Sequence, residues 1–407
     1  MKDAGARWIS STGAIPRTVW ALGLVSLFMD ISSEIIHALL PLFLTTTLGV
    51  SVAVVGLIDG IAESTASITK VFSGYVSDRI GRRKPLILLG YGLGALSKPV
   101  FAMAGSAPVI LGTRFADRIG KGLRGAPRDA LVADVTPPAI RGRAFGLRQS
   151  LDTVGAFLGP LLGIALMLLL GNNMRRVFWI AVIPALLAVL CVVFGVEDRR
   201  PSGNAGSVEP PIRFRDLKQL GRPFREVVAI GVVFTLARFS EAFLILRASG
   251  EGLPLALSPL VLVVMNLVYA LGAYPAGRWS DTAAPEKLLI WGLAALFLAD
   301  LSLAFLPNLT GAFVGIALWG VHMALTQGLL AKLVADNAPA ALRGSAYGIF
   351  NLATGVALLA ASLLAGWLWD SFGPTATFAA GAAFTIAAAA LLMVKHKHAD
   401  HIVIAGR

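Results

Sequence analysis

Apolar runs of about twenty residues, separated by short polar turns, repeat along the whole chain. A helix that crosses a bilayer needs about 20 mostly apolar residues, whereas the strands of an outer-membrane barrel alternate polar and apolar over about ten. The runs follow the first pattern. They predict twelve transmembrane helices, centred near Phe28, Ala62, Gly94, Ala116, Gly155, Pro184, Ala237, Val264, Phe297, Leu318, Gly355 and Ile386. Connections are short except for EDRRPSGNAGSVEPPIRFRDLKQLGRPF, Glu197 to Phe224. The predicted fold is therefore an all-α integral membrane protein with two pseudo-symmetric six-helix halves, 1–196 and 224–407. Residues 197–223 join them as a linker with a short surface helix near Phe214 to Leu220.

The polar positions orient this array. Arg79, Arg82, Arg83 and Lys84 follow the second predicted helix, Arg141 and Arg143 the fourth, and Lys395 and Lys397 the twelfth. The linker region adds Arg199, Arg200, Arg213, Arg215, Lys218, Arg222 and Arg225, while the opposite loops hold little beyond Arg175 and Arg176. Basic loops stay in the cytoplasm, so both termini and the linker are expected there, in a bacterial inner membrane. An internal repeat supports the division. LVADVTPPAIRGRAFG, Leu131 to Gly146, matches LVADNAPAALRGSAYG, Leu333 to Gly348, at ten of sixteen positions. GYVSDRIGRRKP, Gly74 to Pro85, has a decayed partner in GRWSDTAAPEKL, Gly277 to Leu288.

Composition agrees. Of 407 residues, 56% are hydrophobic and 14% charged, against about 25% charged in soluble domains. The net charge of +12 is accounted for by topology, so nucleic acid is not an expected partner. The single cysteine, Cys191, excludes a disulfide within the chain and a cysteine metal site. The polar start, Met1 to Pro16, lacks the apolar core and cleavage site of a signal peptide.

Three motifs resemble the major facilitator superfamily, and the resemblance covers essentially the whole chain. Gly74-Tyr-Val-Ser-Asp78-Arg79-Ile-Gly81-Arg82-Arg83-Lys84 is similar to the family's loop between helices 2 and 3. The resemblance implies a cytoplasmic gate in which Asp78 faces the start of helix 11, near Arg343 to Tyr347, and Arg79 pairs with Asp134. A carboxylate at a helix N-terminus is electrostatically favoured. Gly146, Gly155, Gly159-Pro160 and Gly163 in helix 5 resemble the antiporter motif of export-type members. Arg118-Ile-Gly-Lys121-Gly122 is similar to the buried-arginine motif of drug–proton antiporters, with Lys121 where glutamine is usual and Arg124 where glycine is usual.

That last departure belongs to a larger stripe. At about 100° per residue, Arg114, Arg118, Lys121, Arg124 and Arg128 share one face of helix 4 with Asp117, opposite Phe115, Ile119, Leu123 and Ala130. One charge at the bilayer centre costs about 2.5–3.5 kcal/mol, so the stripe must line a wet cavity or meet acids. Pro127 suggests a kink that brings Arg128 and Asp129 to the interface. Acids are available: Asp30 and Glu34 with His37 in helix 1, Asp59 and Glu63 with Lys70 in helix 2, and Asp152 four residues after Arg148 in helix 5. Helix 7 adds Arg238 and Glu241, and the C-terminal half is otherwise milder, with Asn266, Tyr269, Asp300, His322, Gln327 and Asn351.

Two roles compete for these groups. Some read as structural ion pairs. In the functional reading, Arg114, Arg118, Lys121, Arg124, Arg148 and Arg238 contact a substrate anion, because guanidinium forks suit carboxylate and phosphate. Asp30, Glu34, Asp59, Glu63, Asp152 and Glu241 carry protons, because carboxyls in low dielectric hold them more tightly. Asp30, Glu34 and His37 are weak candidates for a metal, although the nearby cations fit an anionic chelate, such as an iron–organic acid complex, better than a bare ion. The tail KHKHADH, with His396, His398 and His401, reads as a solvated end.

The expectation is a monomeric secondary transporter working by alternating access. It needs no cofactor, is driven by the proton gradient, and exports an anionic small molecule or metal chelate. A proton-linked uptake permease for an organic anion and a multidrug/proton antiporter remain as alternatives. A membrane-embedded enzyme or sensor is disfavoured. The sequence contains no His-Glu-x-x-His or Ser–His constellation, no nucleotide-binding P-loop and no soluble output domain.

Overall fold

The computed structural model describes residues 14–80, 82–198, 220–282, 285–338 and 342–405. Gly81 and most of the expected linker lie outside the described residues, as do the side chains of Asp78, Arg343 and the histidine-rich tail.

Thirteen helices make up the described chain: α1 (Arg17–Leu42), α2 (Val52–Ile80), α3 (Lys84–Met103), α4 (Ala107–Val135), α5 (Arg141–Leu169), α6 (Met174–Gly195), α7 (Arg222–Ala237), α8 (Ala242–Gly250), α9 (Leu260–Thr282), α10 (Pro285–Phe305), α11 (Leu309–Asp336), α12 (Arg343–Phe372) and α13 (Pro374–Ala405). They fill twelve spans, with α7 and α8 together forming the seventh. The two copies of the sequence repeat occupy equivalent places, one at the turn from α4 to α5 and the other from α11 to α12.

Eleven of the spans are apolar and long enough to cross a membrane by themselves. The exception is α4, whose 29 residues reach about 43 Å at 1.5 Å per residue but carry the charged stripe. Its place inside the bundle resolves the conflict. It lies between α2 and α3, with Arg114, Asp117, Arg118 and Arg124 buried and Phe115 on the outside. Lipid-facing surfaces elsewhere are apolar, as at Leu96, Leu169 and Phe194. Trp20, Trp279 and Trp291 stand exposed near one rim and Trp179 and Trp367 near the other, as aromatic belts do. Arg175, the basic outlier of the opposite loops, is structural: its guanidinium lies 5.1 Å from the Phe43 ring centroid and donates to Ala102 O at 2.9 Å.

The halves meet mainly along α2 with α12 and α5 with α9. On the face opposite the chain ends one continuous apolar core, from Leu39 and Phe43 through Phe243 to Trp319 and Phe378, crosses between them. Toward the face that carries the chain ends the core splits into separate clusters. The closed face is also latched. The Asp370 carboxylate, near the end of α12, accepts from Val52 N at 3.0 Å and Ala53 N at 2.9 Å at the start of α2. A carboxylate on two free N–H groups of a helix N-terminus is doubly favoured, by charge and by hydrogen bonding. Asp370→Ala is therefore expected to shift the closed-to-open ratio of this face about tenfold or more toward open. Spin labels at the exposed Ser51 and Ser371 would read the change as a longer inter-label distance.

Candidate functional site

The seventh span is interrupted from Arg238 to Glu241, between α7 and α8. No proline or glycine causes the break. Phe239 anchors it by packing its ring 5.3–5.5 Å from those of Phe243, Trp319 and Phe378. Ser240 restarts the helix, its hydroxyl accepting from Ala242 N at 3.1 Å, in the manner of an N-cap. The same hydroxyl donates to Asp59 across the two halves at 2.5 Å. Interrupted helices whose free backbone groups line a cavity are where transporters place their binding sites.

This break forms one wall of a central cavity of about 250 Å³. The N-terminal half contributes Glu34, His37, Asp59, Glu63, Arg118 and Lys121, and the other half contributes Arg238, Phe239, Ser240, Glu241 and Asn266. Most of the charges are paired. Arg114 meets Asp59 at 3.2 Å, Arg118 meets Glu63 at 3.2 Å, and His37 lies 3.4 Å from Glu34. Lys121, Arg238 and Glu241 have no ion-pair partner among the described residues. A second cavity of about 510 Å³ shares Arg238 and is lined by Lys70, His322, Gln327, Tyr347 and Asn351. His322 Nδ1 lies 2.9 Å from Gly292 O, a group that only accepts, so Nδ1 carries a proton. A third, more apolar cavity of about 850 Å³ lies between α5 and α9, with Asp152, Phe157, Asn266 and Tyr269 in its wall.

Several expectations are corrected by this geometry. Arg124 does not face the cavity: it lies over Tyr91, 4.6 Å from the ring centroid, because α3 covers that edge of the stripe. Arg114 is sealed against Asp59 at 2% exposure and lines none of these cavities. Arg148 is likewise engaged, 3.8 Å from Asp129 and 3.6 Å from Asp152. Arg128 is turned inward rather than lying at the interface, and α4 remains helical through Pro127. Its guanidinium reaches Asp129 at 3.2 Å, Asp152 at 3.6 Å, and Ser26 Oγ at 2.9 Å. Asp30 turns to α5, within hydrogen-bond reach of Asp152, leaving Glu34 and His37 without the third member of the suggested metal set. Among the described residues no cluster of three His, Cys, Asp or Glu is disposed to hold a metal.

At the gate, Asp134 accepts from Arg83 Nε at 3.3 Å in place of Arg79, which is exposed. In helix 5 the glycines differ in use. A Cβ at Gly155 would stand 2.6 Å from Leu27 O, and one at Gly159 would stand 2.6 Å from the Cβ of Glu34, so these two positions admit the acid-bearing face of α1. Gly146 faces open space, and Gly163 makes ordinary contact with Pro259. Pro160, beside Gly159, is buried within α5.

Sequence reasoning missed the break itself and Lys98. That lysine is 1% exposed and bonded to Asp117 at 2.9 Å and to Ser33 Oγ at 3.1 Å. A charged residue inside an apolar span, Ser97-Lys98-Pro99, was the available signal.

The Major Facilitator Superfamily model matches residues 22–361 and 252–406. An uncharacterized MFS-type transporter of Methanocaldococcus jannaschii is 31% identical over 388 residues, covering 93% of this chain and 95% of that one. The multidrug resistance protein MdtH of Cronobacter sakazakii is 28% identical over 349 residues, covering 83% of each. Among solved structures, a POT family transporter in complex with 5-aminolevulinic acid aligns with a TM-score of 0.78 at 12% identity, over 95% of this chain and 97% of that one. The human organic anion transporter MFSD10 aligns with a TM-score of 0.64 at 19% identity, over 92% and 99%. At these identities the structures speak for the fold alone. The chain belongs to the Major Facilitator Superfamily: it is a multi-pass membrane protein and a secondary transporter of a small molecule, not an enzyme.

Proposed function

We propose that the protein is a proton-coupled exporter of an anionic solute or metal chelate, with the face that carries its chain ends in the cytoplasm. The observation that carries this reading is the pair Lys121 and Arg238. One comes from each half, both line the central cavity, and neither has an ion-pair partner among the described residues. Two unpaired cations against one unpaired acid, Glu241, in the same small volume favour a ligand with negative charge, and an anion held by both cations ties its binding to the relative position of the halves. Export is supported by the helix 5 glycines, and the cytoplasmic side of the terminal face by its basic loops. Asp30 with Asp152 is the proposed proton carrier, since two carboxyls hydrogen-bond to each other only while one of them holds a proton. Lys121 stands close to both, so cargo and proton compete for the same neighbourhood.

The likeness to MdtH and the apolar cavity between α5 and α9 favour one second reading, a multidrug/proton antiporter. Flux in proteoliposomes with an imposed pH gradient separates the two. Organic anions and their metal chelates are expected to move against the proton flow, and cationic amphiphiles are not. Anion uptake in the direction of proton flow would overturn export, and transport of the cationic compounds alone would overturn the anionic cargo.

A further inference from the structure

Asp300 lies in α10 with 0% exposure, and neither of its carboxylate oxygens has a hydrogen-bond partner among the described residues. It is pressed against α13 at Gly381, where an added Cβ would stand 2.7 Å from Asp300 Oδ2 and 3.1 Å from Phe239 Cε1. Phe239 sits in the break of the seventh span and lines the central cavity. Asp300 and the Phe239 ring thus meet at Gly381, and the same ring borders the cavity.

None of the charged groups on the elements packed around it pairs with Asp300 among the described residues. On α11, His322 is bonded to Gly292 O, two turns before Asp300. On α8, Arg247 is bonded to Leu303 O and to Glu251. Arg238 and Glu241 face the cavity on the far side of Phe239. Between Pro374 and Val394, α13 has no ionisable residue, and α10 has none but Asp300 between Leu288 and Phe305. An ionised carboxylate without a partner or water is costly to bury in a span.

We propose that Asp300 is a second proton-binding site, closed by Phe239 and emptied into the cavity when the seventh-span break moves. In the conformation seen here the carboxyl holds its proton. When Phe239 swings aside, the O–H bond breaks, the proton passes to cavity water, and the carboxylate that remains is solvated. The site rests on the proton coupling proposed above for its use in transport, but not for its occupancy.

Two readouts test these separately. Infrared difference spectra of the protein in lipid nanodiscs, with 13C-labelled aspartate, are expected to show two protonated-carboxyl stretches at neutral pH, one from the Asp30–Asp152 pair that persists in Asp300→Asn and one that Asp300→Asn removes. Both bands unchanged in the variant would overturn the occupied site. In proteoliposomes, Asp300→Asn and Asp300→Leu are expected to keep substrate exchange within about threefold of wild type and to lose proton-driven accumulation tenfold or more. Accumulation equal to wild type in both variants would overturn its part in coupling. Absence of proton-driven flux in the wild type would sink the exporter reading and the coupling role together, while the infrared spectra still decide whether Asp300 holds a proton.

Discussion

Lys121→Ala and Arg238→Ala are each expected to weaken binding of an anionic solute by about 30-fold or more, and the double variant to abolish its transport. Truncating one partner of a buried, hydrogen-bonded charge pair costs about 2–5 kcal/mol, and each 1.4 kcal/mol is a factor of ten. Neither side chain holds a carboxylate in the resting protein, so both variants are expected to fold and to elute from size exclusion like wild type. Arg118→Ala is a poorer probe, because it also strands Glu63, its partner at 3.2 Å. Titration calorimetry with the purified variants gives the affinities, and unchanged binding in both would make Lys121 and Arg238 scaffolding.

A second large effect concerns stability. Lys98→Ala or Asp117→Ala is expected to cost about 3–5 kcal/mol, because each leaves an uncompensated buried charge. The pair is 2.9 Å apart and nearly sealed, and Ser33 and Ser97 complete its hydrogen bonds. The double replacement Lys98→Met with Asp117→Val is expected to recover most of that loss, since apolar groups of similar volume often substitute for a buried pair at little cost. Thermal unfolding in detergent orders the three variants. A double variant no more stable than the worse single one would mean that the pair holds α3 and α4 together in a way packing cannot replace.

The sequence made the architecture legible because bilayer thickness sets the length of every span, and hydrophobic periodicity records it directly. The wet face of α4 was legible for the same reason: the 100° turn groups Arg114, Arg118 and Lys121 whatever surrounds them. The partners were not. Whether Arg124 meets cargo or Tyr91 depends on how α4 is rotated against α3, and periodicity within one helix carries no information about that rotation. Arg83 replaced Arg79 at Asp134 for a similar reason, since either basic residue satisfies the motif. The break at Arg238 to Glu241 has no local breaker. It exists because Phe239 finds an aromatic pocket and Ser240 finds Asp59, both distant in sequence. Asp300 looked mild beside the charged N-terminal half, and its isolation follows from α13 presenting only small and apolar residues to it.

The proposed anion site is the cavity between Lys121 and Arg238. Its most direct test compares the affinity of the wild-type protein for a transported anion and for that anion's uncharged isostere, such as the amide of a carboxylate. The charged form is expected to bind at least about 100-fold tighter, as two charge-assisted contacts require. Equal affinity for the two would contradict it.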